Sequence, residues 1–141
     1  MEECIFCKIL KKECPGHFIF EDDSVAGFLD NHPLNRGHTL IVPKKHYDSM
    51  IDVPDEVLSQ LIVTTKKVGI QVCNALDAAG FNLFQNNGTH AGQVVPHIHF
   101  HIIPRFKDDP LRFRPDRKQA DAEELSALKE KIIAGNGMGL L

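Results

Sequence analysis

The sequence has no surplus of basic residues: 16 Lys and Arg stand against 19 Asp and Glu, and the formal net charge is −3. Proteins that bind nucleic acid along its backbone replace the counterions of many phosphates with Lys and Arg side chains. The composition therefore argues against bulk nucleic-acid binding. It remains compatible with one small charged ligand, because a pocket needs only a few local donors.

The sequence also lacks an apolar run of the roughly 20 residues that a membrane-spanning helix requires. Its first residues, Met-Glu-Glu-Cys, contain neither the basic region nor the apolar stretch of a secretion signal. We therefore expect no membrane association and a cytoplasmic, reducing compartment. In such a compartment the four cysteines, Cys4, Cys7, Cys14 and Cys73, are expected to be thiols or metal ligands rather than disulfides.

Neither an internal repeat nor a low-complexity linker interrupts the chain, which predicts a single domain over 1–141. Hydrophobic periodicity predicts a short helix within 4–12, a long helix over about 54–79 that Gly80 ends, and a C-terminal helix over about 121–134. Asp121 and Glu124 resemble a capping box for that last helix. Strands are predicted at 17–21, 25–29, 38–42, 81–85 and 97–103, and the tail 135–141 is expected to be loose. This order indicates an α+β domain.

The most informative segment alternates histidines with apolar residues and runs Pro96-His97-Ile98-His99-Phe100-His101-Ile102-Ile103-Pro104-Arg105. Strand side chains point alternately to opposite faces, so the three histidines share one open face and the apolar residues pack on the long helix. Three interpretations follow from the residues alone. The face is a histidine-rich solvated surface, a metal site, or a site for nucleophilic and electrostatic catalysis on an anion.

A second pattern, Cys4-x-x-Cys7, is compatible with half of a zinc site, a redox pair or coincidence. A redox pair usually opens a helix beside a strand in a thioredoxin-like unit, and the predicted order of elements contains no such unit. Cys14 is a weaker candidate ligand, and Cys73, within the predicted long helix, is expected to be a core residue.

The alternating histidines, preceded by Ala91-Gly92-Gln93, resemble the signature of the histidine triad (HIT) family of nucleotide hydrolases and transferases. The resemblance covers about residues 4–106. Within the family, the sequence is similar to the Hint-like branch, especially to bacterial or archaeal members with an N-terminal Cys-x-x-Cys. It implies the histidine triad fold, an α+β fold with an antiparallel five-stranded sheet, one long helix and shorter N- and C-terminal helices. Residues 107–141 would form a C-terminal extension. Besides the histidine segment, the resemblance to the family rests on four further segments: Ile5-Phe6-Cys7-Lys8-Ile9, Phe20-Glu21-Asp22, the run from Gly37 to His46, and Asn86-Asn87-Gly88.

The resemblance implies that His99 forms a covalent nucleotidyl-imidazole intermediate, which water then hydrolyses. It further implies that His101 and backbone amides near Gly92 bind phosphate oxygens, and that Gln93 holds the phosphate or the attacking group. His38 would support the triad histidines without contacting the substrate itself. This chemistry is coherent, because a neutral imidazole attacks phosphorus while flanking donors stabilise the charge that grows on the phosphate oxygens.

The resemblance also implies where the nucleoside binds. Asp30 lies eight residues before His38, as the acidic ribose ligand of the family does. The alternative for Asp30 is a turn-forming role before Pro33. Phe6, Ile9 and Phe28 match the apolar slot that clamps a purine, although alone they are ordinary core residues. Asn86 matches a polar residue near the phosphate, with a turn as its alternative.

In relatives that carry the cysteine pair, zinc is held by four protein ligands, and the matching residues here are Cys4, Cys7, His46 and His97. Four protein ligands with no open position describe a structural zinc, which would fasten the N-terminal helix to the sheet. The resemblance also implies a homodimer built through the long helix. That helix bears apolar residues beyond one stripe, namely Leu58, Ile62, Val63 and Ile70.

Two departures limit what the resemblance implies. The residue after Gln93 is Val94, whereas Hint-like phosphoramidases commonly have Ser there and dinucleoside polyphosphate hydrolases Thr, so this side chain cannot give a proton to a leaving group. The chain also contains no tryptophan, unlike the C-terminal end of eukaryotic Hint proteins. The sequence therefore predicts a purine nucleotide hydrolase that acts at the α-phosphorus on phosphoramidates or mixed anhydrides such as acyl-adenylates. The alternatives are a diadenosine polyphosphate hydrolase and a nucleotide-binding sensor whose turnover is incidental.

Overall fold

A computed structural model describes residues 4–135 of the chain. The short helix α1 is followed by a three-stranded segment, the long helix α2, two more strands with a 3-10 turn at Thr89–Ala91 between them, and helix α3. The bounds are α1 Ile5–Leu10, β1 Phe18–Glu21, β2 Val25–Leu29, β3 Thr39–Pro43, α2 Asp55–Leu76, β4 Gly80–Gln85, β5 Phe100–Arg105 and α3 Ala122–Ala134. The loose tail expected at 135–141 lies, apart from Gly135, outside the described residues.

The five strands form one sheet in the order β1-β2-β3-β5-β4, and every neighbouring pair is antiparallel. This confirms the predicted α+β fold with an antiparallel five-stranded sheet. The order places β5, which carries the last histidine, between β3 and β4 in the interior of the sheet. A central strand holds its residues in register on both sides, so it is a rigid support for a site.

The long helix packs on one face of the sheet, as the apolar side of the histidine segment predicts. Leu61, Val68 and Val72 of α2 belong to one buried cluster with Ile98 and Phe100. The opposite face has its own cluster, in which Phe6 of α1 packs with residues of β2 and β3. The α1 helix therefore covers part of the face that carries the histidines.

The ends of α2 and α3 differ from the sequence prediction. The α2 helix ends before Asp77, which adopts a left-handed conformation with φ 55° and donates its backbone N–H to the Cys73 carbonyl. Asp tolerates this conformation better than most residues, so the helix ends earlier than Gly80, which instead begins β4. Asp121 precedes α3 as predicted, but its side chain makes no capping hydrogen bond.

The strand predicted at 97–103 begins later and ends later, at Phe100–Arg105. Its expected first residues are held by loop contacts instead, because the His97 amide donates to the Val95 carbonyl and the Ile98 amide donates to the Tyr47 carbonyl. Ladder bonds are therefore not available to them. At the other end Pro104 pairs with Phe81 and continues the strand.

Backbone contacts group the chain into two compact units, Met1–Leu111 and Arg112–Leu141. The first contains the sheet with α1 and α2, and the second contains α3. That residues 1–141 form a single domain stays a prediction. Among the helices within 4–135, none combines the length and the apolar character needed to cross a membrane.

Candidate functional site

The face that carries the three histidines is buried rather than open. His97 has no exposed surface and His99 is 6% exposed, while His101 is half-buried. The edge of the Phe6 ring meets the rings of both His97 and His99, with centroids 5.8 and 5.0 Å apart. The prediction of an open face is therefore wrong, because α1 lies over it. The alternation itself is retained: the rings of His99 and His101 lie 4.7 Å apart, and the intervening apolar side chains face α2.

The imidazole of His99 has one ring nitrogen hydrogen-bonded, and its other ring nitrogen has no hydrogen-bond partner among residues 4–135. Its Nδ1 lies 2.7 Å from the backbone carbonyl oxygen of His97. A carbonyl oxygen only accepts, so Nδ1 carries the proton and donates it there. The Nε2 atom of the neutral ring then keeps its lone pair. This is the atom with which an imidazole attacks an electrophile.

His101 is fixed by a buried hydrogen-bond chain that ends on a backbone amide. The Leu34 amide donates to His38 Nδ1 at 3.0 Å, so the proton of neutral His38 is on Nε2. That Nε2 lies 2.9 Å from His101 Nδ1, which must accept. The proton of neutral His101 is thereby on its own Nε2, a donor available to an anionic ligand. Although Asp30, His38 and His101 are near enough to share a metal ion, both nitrogens of His38 are already hydrogen-bonded.

Burial favours the neutral form of His99, His101 and His38. The pKa of His101 is lowered to about 4, mainly by burial and also by the nearby His99 and His38, while Asp30 partly opposes this shift. Burial also lowers the pKa of His99, against the opposing effect of its hydrogen bond to His97. The pKa of His38 is lowered mainly by burial as well. A neutral ring is required for attack by nitrogen, so these shifts favour a nucleophile.

A cleft of about 680 Å³ opens beside His99 and His101. This volume lies within the 300–1,000 Å³ that is usual for small-molecule sites. The cleft brings together the six predicted site residues Phe6, Ile9, Phe28, Asp30, His99 and His101. Its walls combine an aromatic and aliphatic side with four histidines and one carboxylate, an arrangement suited to a ligand that is flat and apolar at one end and anionic at the other.

Asp30 makes the turn interaction that the sequence offered as its alternative role, and its side chain also lines the cleft. Its Oδ1 accepts the backbone amide of His32 at 2.8 Å, which is the turn interaction. Its Oδ2 lies 3.6 Å from His38 Nε2, and its side chain retains 19% of its exposure at the cleft. The turn therefore positions the carboxylate without consuming both of its oxygens.

Gln93, Gly92 and Asn86 are not among the residues that line the cleft. The Gln93 side chain accepts the Gly88 amide at 2.8 Å and donates to the carbonyl oxygens of Asp48 and Val95. It therefore fastens the loop before the histidines. Gly92 has φ 90°, a conformation that favours glycine, at the end of the 3-10 turn.

The predicted zinc ligands form a second group of side chains. His97 Nδ1 lies 3.4 Å from Cys4 Sγ and 3.6 Å from Cys7 Sγ, and His46 Nδ1 lies 3.4 Å from Cys7 Sγ. All four ligand atoms lie within 4.8 Å of one another. A tetrahedral zinc with usual bond lengths separates its sulfur and nitrogen ligands by roughly 3.5 Å, so the donor set and the spacing fit this metal.

Both histidines of the group have their second nitrogen held by an outer partner. His97 Nε2 donates to the Pro43 carbonyl at 2.9 Å, and His46 Nε2 lies 2.8 Å from Asp48 Oδ1. Outer partners of this kind fix the tautomer and aim the other nitrogen at a metal. Burial lowers the pKa of His97 to about 4, which keeps its Nδ1 lone pair available. The cluster residues could thus hold a metal ion.

Sequence analysis missed several residues of the site. Asn31, His17 and His32 line the cleft rim, and a polar residue in a loop carries no signal that separates such a role from a turn. Asp48 is the outer partner of His46, but its position two residues later was the only hint. The carbonyl of Pro43 and the amide of Leu34 act through the backbone, so side-chain patterns could not have indicated them. Cys14 lines the cleft rather than the metal group, and Cys73 is half-buried.

Comparisons with known proteins agree with this geometry. The family model described as HIT domain matches residues 11–108. An adenosine 5'-monophosphoramidase of Candida albicans is 38% identical over 135 residues, which cover 92% of this chain and 88% of that protein.

Solved structures are similar over nearly the whole chain. The crystal structure of SMU.412c from Streptococcus mutans superposes with a TM-score of 0.90 at 33% identity, covering 97% of this chain and 87% of that one. A zinc-bound histidine triad family protein from Mycobacterium smegmatis superposes with a TM-score of 0.76 at 34% identity, covering 95% and 98%. The sequence resemblance is confirmed, and the chain belongs to the HIT domain family.

Proposed function

We propose that this protein is a nucleotide hydrolase that cleaves purine nucleotides at the α-phosphorus through a covalent intermediate on His99. The observation that carries the proposal is the hydrogen bond from His99 Nδ1 to the His97 carbonyl, because it leaves Nε2 unprotonated beside a cleft of nucleotide size. The 5'-monophosphoramidase activity named for the Candida albicans relative supports the reaction class. Phosphoramidates and acyl-adenylates are the substrates that we expect.

The first step forms a bond between His99 Nε2 and the α-phosphorus and breaks the bond to the leaving group. His101 Nε2–H donates to a phosphate oxygen, where negative charge grows. Val94 offers no proton, so the leaving group takes one from water. In the second step water attacks the phosphorus, His99 departs as a neutral imidazole, and the nucleoside monophosphate is released. Backbone amides near Gly92 serve as further phosphate donors, and Gln93 braces their loop.

The nucleoside part is assigned to the other walls of the cleft. Asp30 accepts hydrogen bonds from the ribose hydroxyls through the oxygen that its turn leaves free. Phe6 and Phe28 meet edge to face at 5.6 Å and, with Ile9, form an apolar slot for the purine ring. Asn86 lies in the loop that precedes the amides.

We assign a structural zinc to Cys4, Cys7, His46 and His97, the group whose spacing fits the metal. With all four positions filled by protein, the metal supplies cross-linking of α1 to the loop before β5 rather than Lewis-acid chemistry on the substrate. His97 links this group to the cleft, because its backbone carbonyl oxygen accepts the hydrogen bond that His99 Nδ1 donates. The Zn-bound Mycobacterium smegmatis relative supports the assignment.

We also propose a homodimer. Ile62, Val63 and Ile70 are about half exposed on α2, and Leu83 is 41% exposed on β4, the edge strand of the sheet. Leu58, which the sequence grouped with them, packs against the core instead. An exposed edge strand next to an apolar helix face suits an isologous contact with a second copy.

A rapid-quench experiment tests the reaction. Adenosine 5'-phosphoramidate is mixed with excess wild-type protein, the reaction is stopped in denaturant, and the intact mass is measured. We expect one added nucleotidyl group, located by peptide mapping on His99 and lost on acid treatment, as a phosphorus–nitrogen bond is. Tight binding of AMP with neither turnover nor an adduct would instead favour a nucleotide sensor and overturn the proposal.

A further inference from the structure

A second cleft, of about 410 Å³, lies next to the first. Both clefts are lined by Ile5, Val94 and Val95, but only the first reaches His99 and His101. These shared residues form a ridge between the two clefts, with the triad on one side. A ligand that reacts at His99 can therefore continue across the ridge into the second cleft.

The ridge is apolar and exposed. Val94 is 88% exposed and Ile5 is 44% exposed, while the neighbouring Pro96, at the floor of the second cleft, is also exposed. A valine with almost its whole side chain in water gains nothing from packing within this chain. Exposed apolar side chains gathered around a cleft commonly mark a contact with a ligand.

Asp48 supplies charge to the far wall of the second cleft. Its Oδ1 is engaged by His46 Nε2 at 2.8 Å, whereas its Oδ2 has no hydrogen-bond partner among residues 4–135. The Asp48 side chain is 67% exposed, so it can meet a ligand without breaking a buried contact. Cys4 and His46 of the possible metal group also line the second cleft. Beside that group, the cleft pairs an apolar ridge with one available carboxylate oxygen.

We propose that the second cleft receives the leaving group and favours an amine with an apolar stem and a cationic end. The proposal rests on the proposed function, because it takes the α-phosphorus to be attacked by His99. In an in-line displacement the leaving group departs on the side of the phosphorus away from the nucleophile, and the proposal assigns the ridge and the second cleft to that side. The bond from His99 Nε2 to phosphorus forms, the phosphorus–nitrogen bond breaks, and the amine nitrogen takes a proton from water. The distal ammonium is unchanged and faces Asp48.

Three adenosine 5'-phosphoramidates that differ only at the far end of the amine test this preference. They are made from 1,6-diaminohexane, hexylamine and 6-aminohexanoate, and their kcat/KM values are each divided by that of the unsubstituted phosphoramidate. We expect the diamine to be favoured over hexylamine and hexylamine over the aminohexanoate, with a total span of about threefold to tenfold, as exposed charge pairs produce. The span should shrink in 0.5 M salt.

Two variants assign the preference to the second cleft. Asp48→Asn should bring the three ratios together, whereas Asp52→Asn, an exposed aspartate outside both clefts, should leave them unchanged. Val94→Lys should disfavour the diamine and favour the aminohexanoate. The Val94 side chain is 88% exposed, so the variant should fold. The zinc content of each protein is measured alongside, because Asp48 also contacts His46.

Binding to the His99→Ala variant separates this proposal from the proposed function. Affinities of the three compounds for this variant require no turnover and should follow the same order. Equal affinities and equal ratios for the three compounds would overturn the second cleft as a leaving-group site, as would a preference that survives both Asp48→Asn and Val94→Lys. Absence of any turnover by wild-type protein, with the order of affinities intact, would contradict only the assigned reaction.

Discussion

The Nδ1 atom of His99 lies 2.7 Å from the backbone oxygen of His97, whose own Nδ1 faces Cys4 at 3.4 Å. One residue therefore serves two groups: its side chain belongs to the metal cluster, and its carbonyl sets the tautomer of the proposed nucleophile. His97 can serve both groups because it lies outside the strand ladder. The backbone amides of His97 and Ile98 donate to loop carbonyls instead of to a neighbouring strand. A regular strand would have committed the carbonyl of His97 to a neighbouring strand.

The first prediction compares His99→Ala with His101→Ala. Loss of the nucleophile should reduce kcat by several orders of magnitude, whereas loss of one phosphate donor should cost roughly 10²–10³. Nucleotide binding should change little in His99→Ala, because Phe6, Phe28 and Asp30 are retained. Single-turnover rates and AMP titrations measure the two effects separately. Wild-type turnover by His99→Ala would end the nucleophile assignment.

The second prediction concerns pH. Attack requires neutral His99, and because burial lowers the pKa of this group below its ordinary 6.5, the neutral form persists to lower pH. We therefore expect the acid limb of kcat/KM to have its midpoint below pH 6.5. A profile of kcat/KM, which reports the free enzyme, is measured from pH 5 to 8. An acid limb centred at pH 7 or above would contradict the neutral-histidine mechanism.

The core elements were predictable because their patterns are strong. Val25–Leu29 was predicted with its observed bounds, and α2 follows from a long apolar stripe. The family, the histidine group beside the cleft and the possible metal-ligand group could be predicted from the alternating histidines and the cysteine pair. What the sequence could not specify depends on the backbone or on tertiary packing. Asp77 ends α2 through its conformation, and α1 covers a face that strand alternation alone leaves open.

Gln93 illustrates the same limit within the site. The family resemblance implies that Gln93 holds the phosphate or the attacking group, and its amide chemistry suits that role. In the structure its amide group is used by backbone groups of Gly88, Asp48 and Val95. Whether a polar side chain turns toward a ligand or toward its own loop depends on carbonyls and amides whose positions only the folded chain defines.

The third prediction is that purified protein contains about one zinc per chain. Cys4→Ser combined with Cys7→Ser should remove it and lower the Tm by on the order of 10 °C, because the metal cross-links α1 to the loop before β5. Cys73→Ser is the matched control, since Cys73 lies outside the cluster and serine retains a donor for the Gly80 carbonyl. Metal content and thermal unfolding are measured together. Full zinc occupancy in the double variant would exclude these ligands.

The fourth prediction is a mass of two chains in sedimentation at micromolar concentration. Ile62→Asp combined with Ile70→Asp should shift the protein to monomer, because the charges would lie in the proposed contact. Ile132→Asp is the control: this residue is 76% exposed but belongs to α3. A strict monomer in the wild type would refute the dimer. Dissociation by Ile132→Asp alone would move the contact to α3.

The last prediction concerns the proton that the leaving group needs. Val94 lies beside the cleft and has no exchangeable hydrogen, so the wild-type rate should fall steeply as the leaving group becomes more basic. Val94→Ser introduces a donor at that position and should raise kcat for the most basic leaving groups by roughly tenfold, a fraction of what a well-placed general acid provides. Anhydrides, whose leaving groups need no proton, should gain little. Val94→Ala is the matched control, because it removes the same bulk without adding a hydroxyl. The slope of log kcat against leaving-group pKa is measured for all three proteins, and equal slopes for Val94→Ser and Val94→Ala would mean that bulk, not proton donation, is what position 94 controls.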